Sequence, residues 1–432
     1  MIGSGIYLKP AEVARDAGSS GLALTAWLVG AVLTLAGALA FAELGTMMPA
    51  AGGDYMFLRR AFGPLVGFLW GWTTMAVGTT TTGAALAAAV GLFAGYLWPP
   101  LAQPVVQLGP FLVNGGQLVG LAALVLVVLI NCLEVWKVGR FEWWLTLVKV
   151  GALAAVLAAS AFALAARSSW PAWPSLPEGA ATVPTVAGFA AAVTATLWTY
   201  SGWEMLLWVG GEVSDPERTI PRAMVGGFAA TAVLFLLLNV ACLAVLGYDG
   251  VASSPHVVSD LLERSIGSGV TTILTGVMVI SVLGSLNAST LAASRVPYAL
   301  ARDGLLPVSL AWLHPDRRVP IPAVIVPAAG SAILLLTGTF EQLTSLFVFS
   351  QWLFYAVAIG ALFRLRAREP DVARPVKAWG FPVVPALFLG VAVVLTASQI
   401  AANPLRSLVG LGVIVAGIPL FLVRRHGPAT EC

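Results

Sequence analysis

Trp198-Thr199-Tyr200-Ser201-Gly202-Trp203-Glu204 interrupts an apolar run over 184–211. The run is long enough to cross a bilayer, which takes about 20 helical residues. Its middle holds a glycine, which lets backbone leave the helix at little steric cost, and an acid. A second interruption opens the chain: Ile2-Gly3-Ser4-Gly5-Ile6-Tyr7, followed by a segment, 5–16, that contains Pro10 and is too short to cross alone. Unwound backbone at membrane depth must be buried in protein or line a cavity. Taken singly, either stretch reads most simply as small residues at a close helix contact. Taken together, they are the broken helices that mark a transport site.

Working outward, apolar runs recur at 22–44, 65–97, 117–135, 143–166, 223–246, 269–294, 322–338, 343–363, 382–402 and 407–423. With 184–211 they make eleven spans, and the second interruption falls five spans after the first. Two breaks that open two five-helix blocks are what an inverted repeat predicts. The expected architecture is therefore all-α and integral to the membrane, with twelve helices in one polytopic domain over 1–432. Residues 1–166 would form the first repeat, truncated at its start; 184–366 the second; and 382–423 two further helices.

The composition agrees. Of 432 residues, 59% are apolar and 10% charged, against about 25% charged in a soluble domain, and the mean hydropathy is +0.90. The connections are rich in turn residues and tryptophan, as in Trp98-Pro99-Pro100 and Trp170-Pro171-Ala172-Trp173-Pro174, the belt expected at a membrane interface. If 5–16 ends outside, eighteen of the 23 lysines and arginines fall on one side, leaving Lys9, Arg15, Arg167, Arg264 and Arg406 on the other. The richer side is cytoplasmic by the positive-inside rule.

Several classes are excluded. The net charge of +3 marks no nucleic-acid surface. Cys132, Cys242 and Cys432 form no disulfide or metal pattern, and no cleavable signal peptide opens the chain. An intramembrane enzyme needs acid–base or metal-binding clusters within its spans. His256, His314 and His426 all lie in loops, and no nucleophile–base set falls in a span. No metal, cofactor or nucleic acid is expected. What the two breaks offer is free N–H groups at a half-helix start, suited to a carboxylate, and freed carbonyls suited to an ammonium. An amino acid needs both.

The motifs then resemble a known family. Met1-Ile2-Gly3-Ser4-Gly5-Ile6-Tyr7 resembles the first-helix motif of the amino acid–polyamine–organocation superfamily. Gly37-Ala38-Leu39-Ala40-Phe41-Ala42-Glu43-Leu44-Gly45 with Gly52-Gly53-Asp54-Tyr55 is similar to its L-type amino acid transporter branch. Tyr200-Ser201-Gly202-Trp203, Asp215-Pro216-Glu217-Arg218, Gly284-Ser285-Leu286-Asn287 and Ala301-Arg302-Asp303-Gly304 continue the pattern. The resemblance runs to about residue 380.

It implies a LeuT-like fold, a 5+5 inverted repeat plus two C-terminal helices, with alternating access around a midplane site. The amides of Gly3, Ser4 and Gly5 would receive the substrate carboxylate, and carbonyls near Ile2, Trp198 and Thr199 its amine, with Ser201 and Gly202 beside them. Trp198 stands where the family has an aromatic gate. Lys149, in Thr146-Leu147-Val148-Lys149-Val150-Gly151, would fill the place of a sodium ion, the other reading being a lysine that snorkels near Glu142. Glu43 and Asp54 are expected to pair with Arg59, Arg295 or Arg302 as an inner-gate latch, which makes Glu43 and Arg295 gating residues.

Three departures matter. The sequence opens inside its first motif, so the half-helix and cytoplasmic tail that the family places before it are missing. No cysteine stands in 98–116, where heteromeric members tether a heavy chain, so no disulfide-linked partner is expected. Glu204 follows the second break where neutral-substrate members often carry an amide; it reads as a structural acid first and as a ligand for a cationic substrate second. The expected activity is sodium-independent exchange or proton-coupled uptake of neutral L-amino acids through a multi-pass cell membrane protein with cytoplasmic termini. Cationic amino acid or polyamine antiport, or an inactive truncated permease, is the alternative.

Overall fold

The computed structural model describes residues 1–108, 111–165, 185–402 and 404–425. Arg167, the Trp170–Pro174 connection, His426 and Cys432 lie outside them. Over its described residues each of the eleven apolar runs is helical, apart from end residues and the break at 200–204 within 184–211. Among the described residues eight helices are long and apolar enough to span a membrane, and three shorter apolar ones match the remaining runs.

In chain order, α1 (Ser4–Ala17) is the short opening segment and α2 (Ser20–Met47) the first long span. They are joined tightly. Gly18, in the left-handed region at φ 74°, donates its N–H to Ala14 O. Ser19 then caps α2 by accepting from Leu22 N at 3.3 Å. Helix α3 (Asp54–Phe62) is short and amphipathic, burying Tyr55, Phe57 and Leu58 while exposing Arg59 and Arg60. Helix α4 (Pro64–Leu97) carries a π-turn at Thr74–Thr79. A hairpin absent from the sequence reading follows, β1 (Pro104–Leu108) antiparallel to β2 (Phe111–Asn114). It leads into α5 (Gly115–Asn131) through an Asn114–Gln117 capping box.

Helix α6 (Val135–Ala165) precedes the second interruption, α7 (Val186–Thr199) and the single turn α8 (Met205–Trp208). Next come α9 (Pro216–Ser253), α10 (Val257–Ile266), α11 (Ser268–Ala293) and α12 (Arg295–Arg302). Four more, α13 (Ile321–Thr337), α14 (Phe340–Arg368), α15 (Val383–Ala402) and α16 (Pro404–Arg425), complete the chain.

Burial sorts these helices by depth. The apolar window of α4 is 83% buried, against 28% for α6, 28% for α15 and 22% for α16. A helix apolar all round but mostly exposed belongs against lipid, so α6, α15 and α16 form the rim. The inner group is α1, α7, α9 and α2, with α4, α11 and α14 around them. This multi-pass helical bundle places the two interrupted segments side by side at its centre.

Candidate functional site

Helix α1 begins at Ser4. Gly3 before it is extended (φ −145°, ψ −153°), and no side chain caps the start. The first N–H groups of such a helix have no intrahelical acceptor and carry the positive end of its dipole. They form an anion seat. Ile2, just ahead, points its carbonyl at α11, where Ser285 Oγ donates to it at 2.6 Å.

Helix α7 ends in the opposite sense, with carbonyls freed. Ser201 folds back and donates to Trp198 O from both N (3.2 Å) and Oγ (2.6 Å). Gly202, at φ 98°, turns the chain out of the helix. Its N–H is met by Glu204 Oε2 at 3.0 Å, and one helical turn resumes beyond. The two breaks touch. A Cβ added to Gly5 would stand 2.7 Å from Thr199 Oγ1 and 2.8 Å from Thr199 Cα. Only glycine lets α1 and α7 approach this closely. The hydroxyls of Ser4 and Thr199 are buried with no hydrogen-bond partner.

A cavity of about 690 Å³ opens beside this contact. Ile2, Gly3, Ser4, Gly5, Trp198, Thr199, Ser201 and Gly202 all line it. Glu204, expected there as a possible ligand, does not. It is fully buried behind the break, where its carboxylate supplies the acceptor that the unwound Gly202 N–H needs. Trp198 closes the cavity above, its ring 4.9 Å from Phe347 and 6.3 Å from Phe340. Lys9 lies over the Phe340 ring at 5.6 Å while paired to Glu12 at 2.5 Å.

Lys149 is buried, lines the same cavity and pairs with Glu142 at 2.9 Å. Both sequence readings of it thus contain part of the answer: the lysine is inside, and Glu142 is its counter-ion. Its stem crosses α11 at Gly284, where a Cβ would be 2.5 Å from Lys149 Cε.

A second cavity of about 750 Å³ faces the other end, lined by Leu8, Ala11, Arg15, Tyr96, His256 and Phe340 among others. The two divide each helix in order. Along α1 the first reaches Gly5 and the second starts at Leu8; along α4 the first reaches Leu86 and the second starts at Ala88. At 1.5 Å rise per residue the septum is about one helical turn thick. The first cavity instead runs toward Val209, Gly227 and Ala292, the end that carries most of the arginines.

The expected latch pairings are corrected. Glu43 is wholly buried and holds Arg366 at 2.5 Å and Arg374 at 3.2 Å, and it also accepts from Ala378 N. Arg295 takes Glu212 through two hydrogen bonds, at 2.7 and 3.0 Å. Arg59 pairs with Asp303, and Arg302 lies over Tyr298. Asp54 joins none of these arginines, and both its oxygens are buried without a hydrogen bond. The path of the 369–378 loop brings Arg374 to Glu43. That path has no local sequence signal.

Glu142, Asn287, Asn131 and Ser285 were not singled out as site residues. Two polar residues within apolar runs, Asn131 at the end of α5 and Asn287 in the last third of α11, are the available signal, since such groups seek each other.

Comparison with known proteins places this geometry. A family model described as "Amino acid permease" matches residues 1–422. The chain is 30% identical over 427 residues to a serine/threonine exchanger of Bacillus subtilis, covering 98% of this chain and 92% of that protein. It is 29% identical over 423 residues to the human cystine/glutamate transporter, covering 98% and 81%. It is also 30% identical over 428 residues to the human large neutral amino acids transporter small subunit 2, covering 98% and 77%.

Proposed function

This chain belongs to the amino acid permease family, whose members are transporters and not enzymes, and we propose that its central cavity is where it binds and exchanges neutral L-amino acids. The observation that carries this is the meeting of the two breaks: an uncapped helix start and freed carbonyls line one cavity. The α-carboxylate sits on the N–H groups of Gly3, Ser4 and Gly5. The α-ammonium takes the second lone pair of the Ile2 carbonyl, at the carbonyl end of α7 formed by Trp198 and Thr199. The free hydroxyls of Ser4 and Thr199 complete the polar shell, and Ser201 and Gly202 shape it.

Neutral cargo is favoured over cationic because, among the described residues, no free anion lines the cavity. Glu204 faces Gly202 N, and Glu142 is committed to Lys149. The fixed ammonium of Lys149 makes a sodium ion unnecessary. The halves 1–166 and 184–366 act as inverted repeats, and Glu43 and Arg295 serve the gate as ends of rigid struts, not as a pair. The arginine-rich end is cytoplasmic, in a cell membrane, and no cysteine in 98–116 offers a heavy-chain tether.

The test is uptake into liposomes loaded with unlabelled amino acids, using labelled alanine, serine, leucine and arginine, with and without sodium and a pH gradient. Uptake of neutral substrates that requires internal amino acid and ignores sodium is the expected result. Preference for arginine over all three refutes the assignment of Glu204, and sodium dependence refutes that of Lys149.

A further inference from the structure

Among the described residues, Glu142 and Lys149 are the only oppositely charged side chains along the cavity wall, and they are joined to each other. They lie seven residues apart on α6, two turns on one face. Glu142 Oε1 accepts from Lys149 Nζ at 2.9 Å, and its Oε2 accepts from Asn287 Nδ2 of α11 at 3.1 Å. Asn287 Oδ1 in turn accepts from Asn131 Nδ2 of α5 at 2.9 Å. Both asparagines are buried. The carboxylate is therefore held by three helices.

A lysine has three N–H donors, and Glu142 is the one hydrogen-bond acceptor Lys149 has among the described residues. Its stem lies across Gly284. The next residue, Ser285, holds the Ile2 carbonyl of the first break. The ammonium thus has a braced anion on one side and, one residue of α11 away, the backbone that closes on substrate.

We propose that Glu142 is a positioning residue for transport: braced by Asn287 and Asn131, it holds the Lys149 ammonium back from the first break while the cavity is open and releases it toward the backbone of that break when α1 closes. The proposal rests on the transport function above. It makes Glu142 a stabiliser of the open state. Removing its charge shifts the population toward the closed, substrate-retaining state.

The test compares Glu142→Gln with the wild type in loaded liposomes, with Lys149→Met and the double variant alongside. Glutamine keeps the shape and an acceptor for Asn287. The expected Glu142→Gln result is a maximal rate roughly tenfold lower together with a lower KM, the scale of a direct pairwise coupling. General damage would raise KM instead, so this split is not what a merely structural residue gives. In the Lys149→Met background, where substrate binding is measured directly if transport stops, Glu142→Gln changes nothing further. An unchanged rate, a raised KM, or an added effect in that background overturns the proposal. If Glu142→Gln does not fold, Asn287→Leu, which keeps both charges but removes the brace, must show the same split, and its absence overturns the proposal equally. A wild-type chain that fails to transport sinks the function instead, and the two failures are distinct.

Discussion

Gly5→Ala perturbs the contact on which the site depends. The new Cβ would stand 2.8 Å from Thr199 Cα, whereas ordinary contact begins at 3.4 Å. The difference of about 0.6 Å has to come from separating α1 and α7, since a backbone atom cannot rotate away as a side chain does. Overpacking of this kind costs about 1–3 kcal/mol. Functional loss is larger if the proposed site is right, because the same shift moves the N–H groups of Gly3, Ser4 and Gly5 relative to the carbonyls at the end of α7. A misplacement of about 1 Å costs up to about 100-fold in rate, so a loss of about tenfold or more is expected at subsaturating substrate. The assay is initial exchange in loaded liposomes, with detergent thermal stability measured beside it. Gly21→Ala is the control: nothing lies within 4 Å of its Cβ, and alanine in a helix gains about 0.5–1 kcal/mol over glycine. Thr199→Ala must not rescue Gly5→Ala, because the tight contact to Cα remains. Wild-type exchange in Gly5→Ala, or full rescue by Thr199→Ala, refutes the reasoning.

Glu43→Gln leaves Arg366 and Arg374 without their shared anion, and breaking a buried pair on one side costs about 3–5 kcal/mol, visible as a lower melting temperature in detergent. Asp215→Asn, in a pair at 4.0 Å with both partners exposed, changes stability by no more than about 0.5 kcal/mol in the same assay. Trp198→Ala removes the roof over the cavity and opens the one-turn septum; efflux of preloaded substrate without external amino acid should rise, while Trp198→Phe keeps the ring contacts and stays coupled. Burial pushes the His256 imidazole below its ordinary 6.5, with Asp260 opposing. Below pH 6.5 the unfolded chain then binds more protons than the folded one, so this contribution to stability is present above that pH and falls on acidification; His256→Gln should flatten that part of the melting profile.

Much of the fold was legible because membrane spans are local. A run such as 22–44 or 269–294 reports its own burial in lipid, and the structure places a helix on each of the eleven. The breaks were legible for a similar reason, since Gly3-Ser4-Gly5 and Ser201-Gly202 stand out against apolar surroundings. The partners of charged groups were not. Glu43 meets Arg366 across 323 positions, and Arg295 meets Glu212 across 83. Which arginine arrives depends on how a loop returns, and several arginines have the same local context. The pairing of 104–108 with 111–114 was missed because these short stretches, with prolines at 104 and 110 in the sequence, carry no alternation strong enough to separate them from a connection. Glu204 was expected as a possible ligand beside the break, and which way it faces depends on packing that the sequence does not carry.

The ion pairs also bear on how the cavity closes. Glu43–Arg366, Arg295–Glu212 and Arg59–Asp303 are intact, although the cavity runs toward Val209, Gly227 and Ala292, the end that carries most of the arginines. A latch across a gate breaks when that gate opens. Bonds that persist with the gate open act within bodies that move as units, or between bodies that do not part here. Glu43 in particular ties α2 to the end of α14 and the loop behind it through two arginines and an amide. Undoing it on every cycle would expose a buried carboxylate to lipid or protein at a cost of several kcal/mol, too slow a step for a barrier crossed repeatedly. In the proposed transport cycle the parts expected to move are those with weak, reversible contacts: the uncapped start of α1, the free hydroxyls of Ser4 and Thr199, and the apolar ring contacts of Trp198, Phe340 and Phe347. Rings that separate lose dispersion contacts in small steps, whereas a buried charge that separates loses its partner at once. In the proposed transport cycle, an apolar seal on one side and a backbone hinge at Gly202 and Gly3 on the other would keep the barrier low, with the buried charges left as the frame.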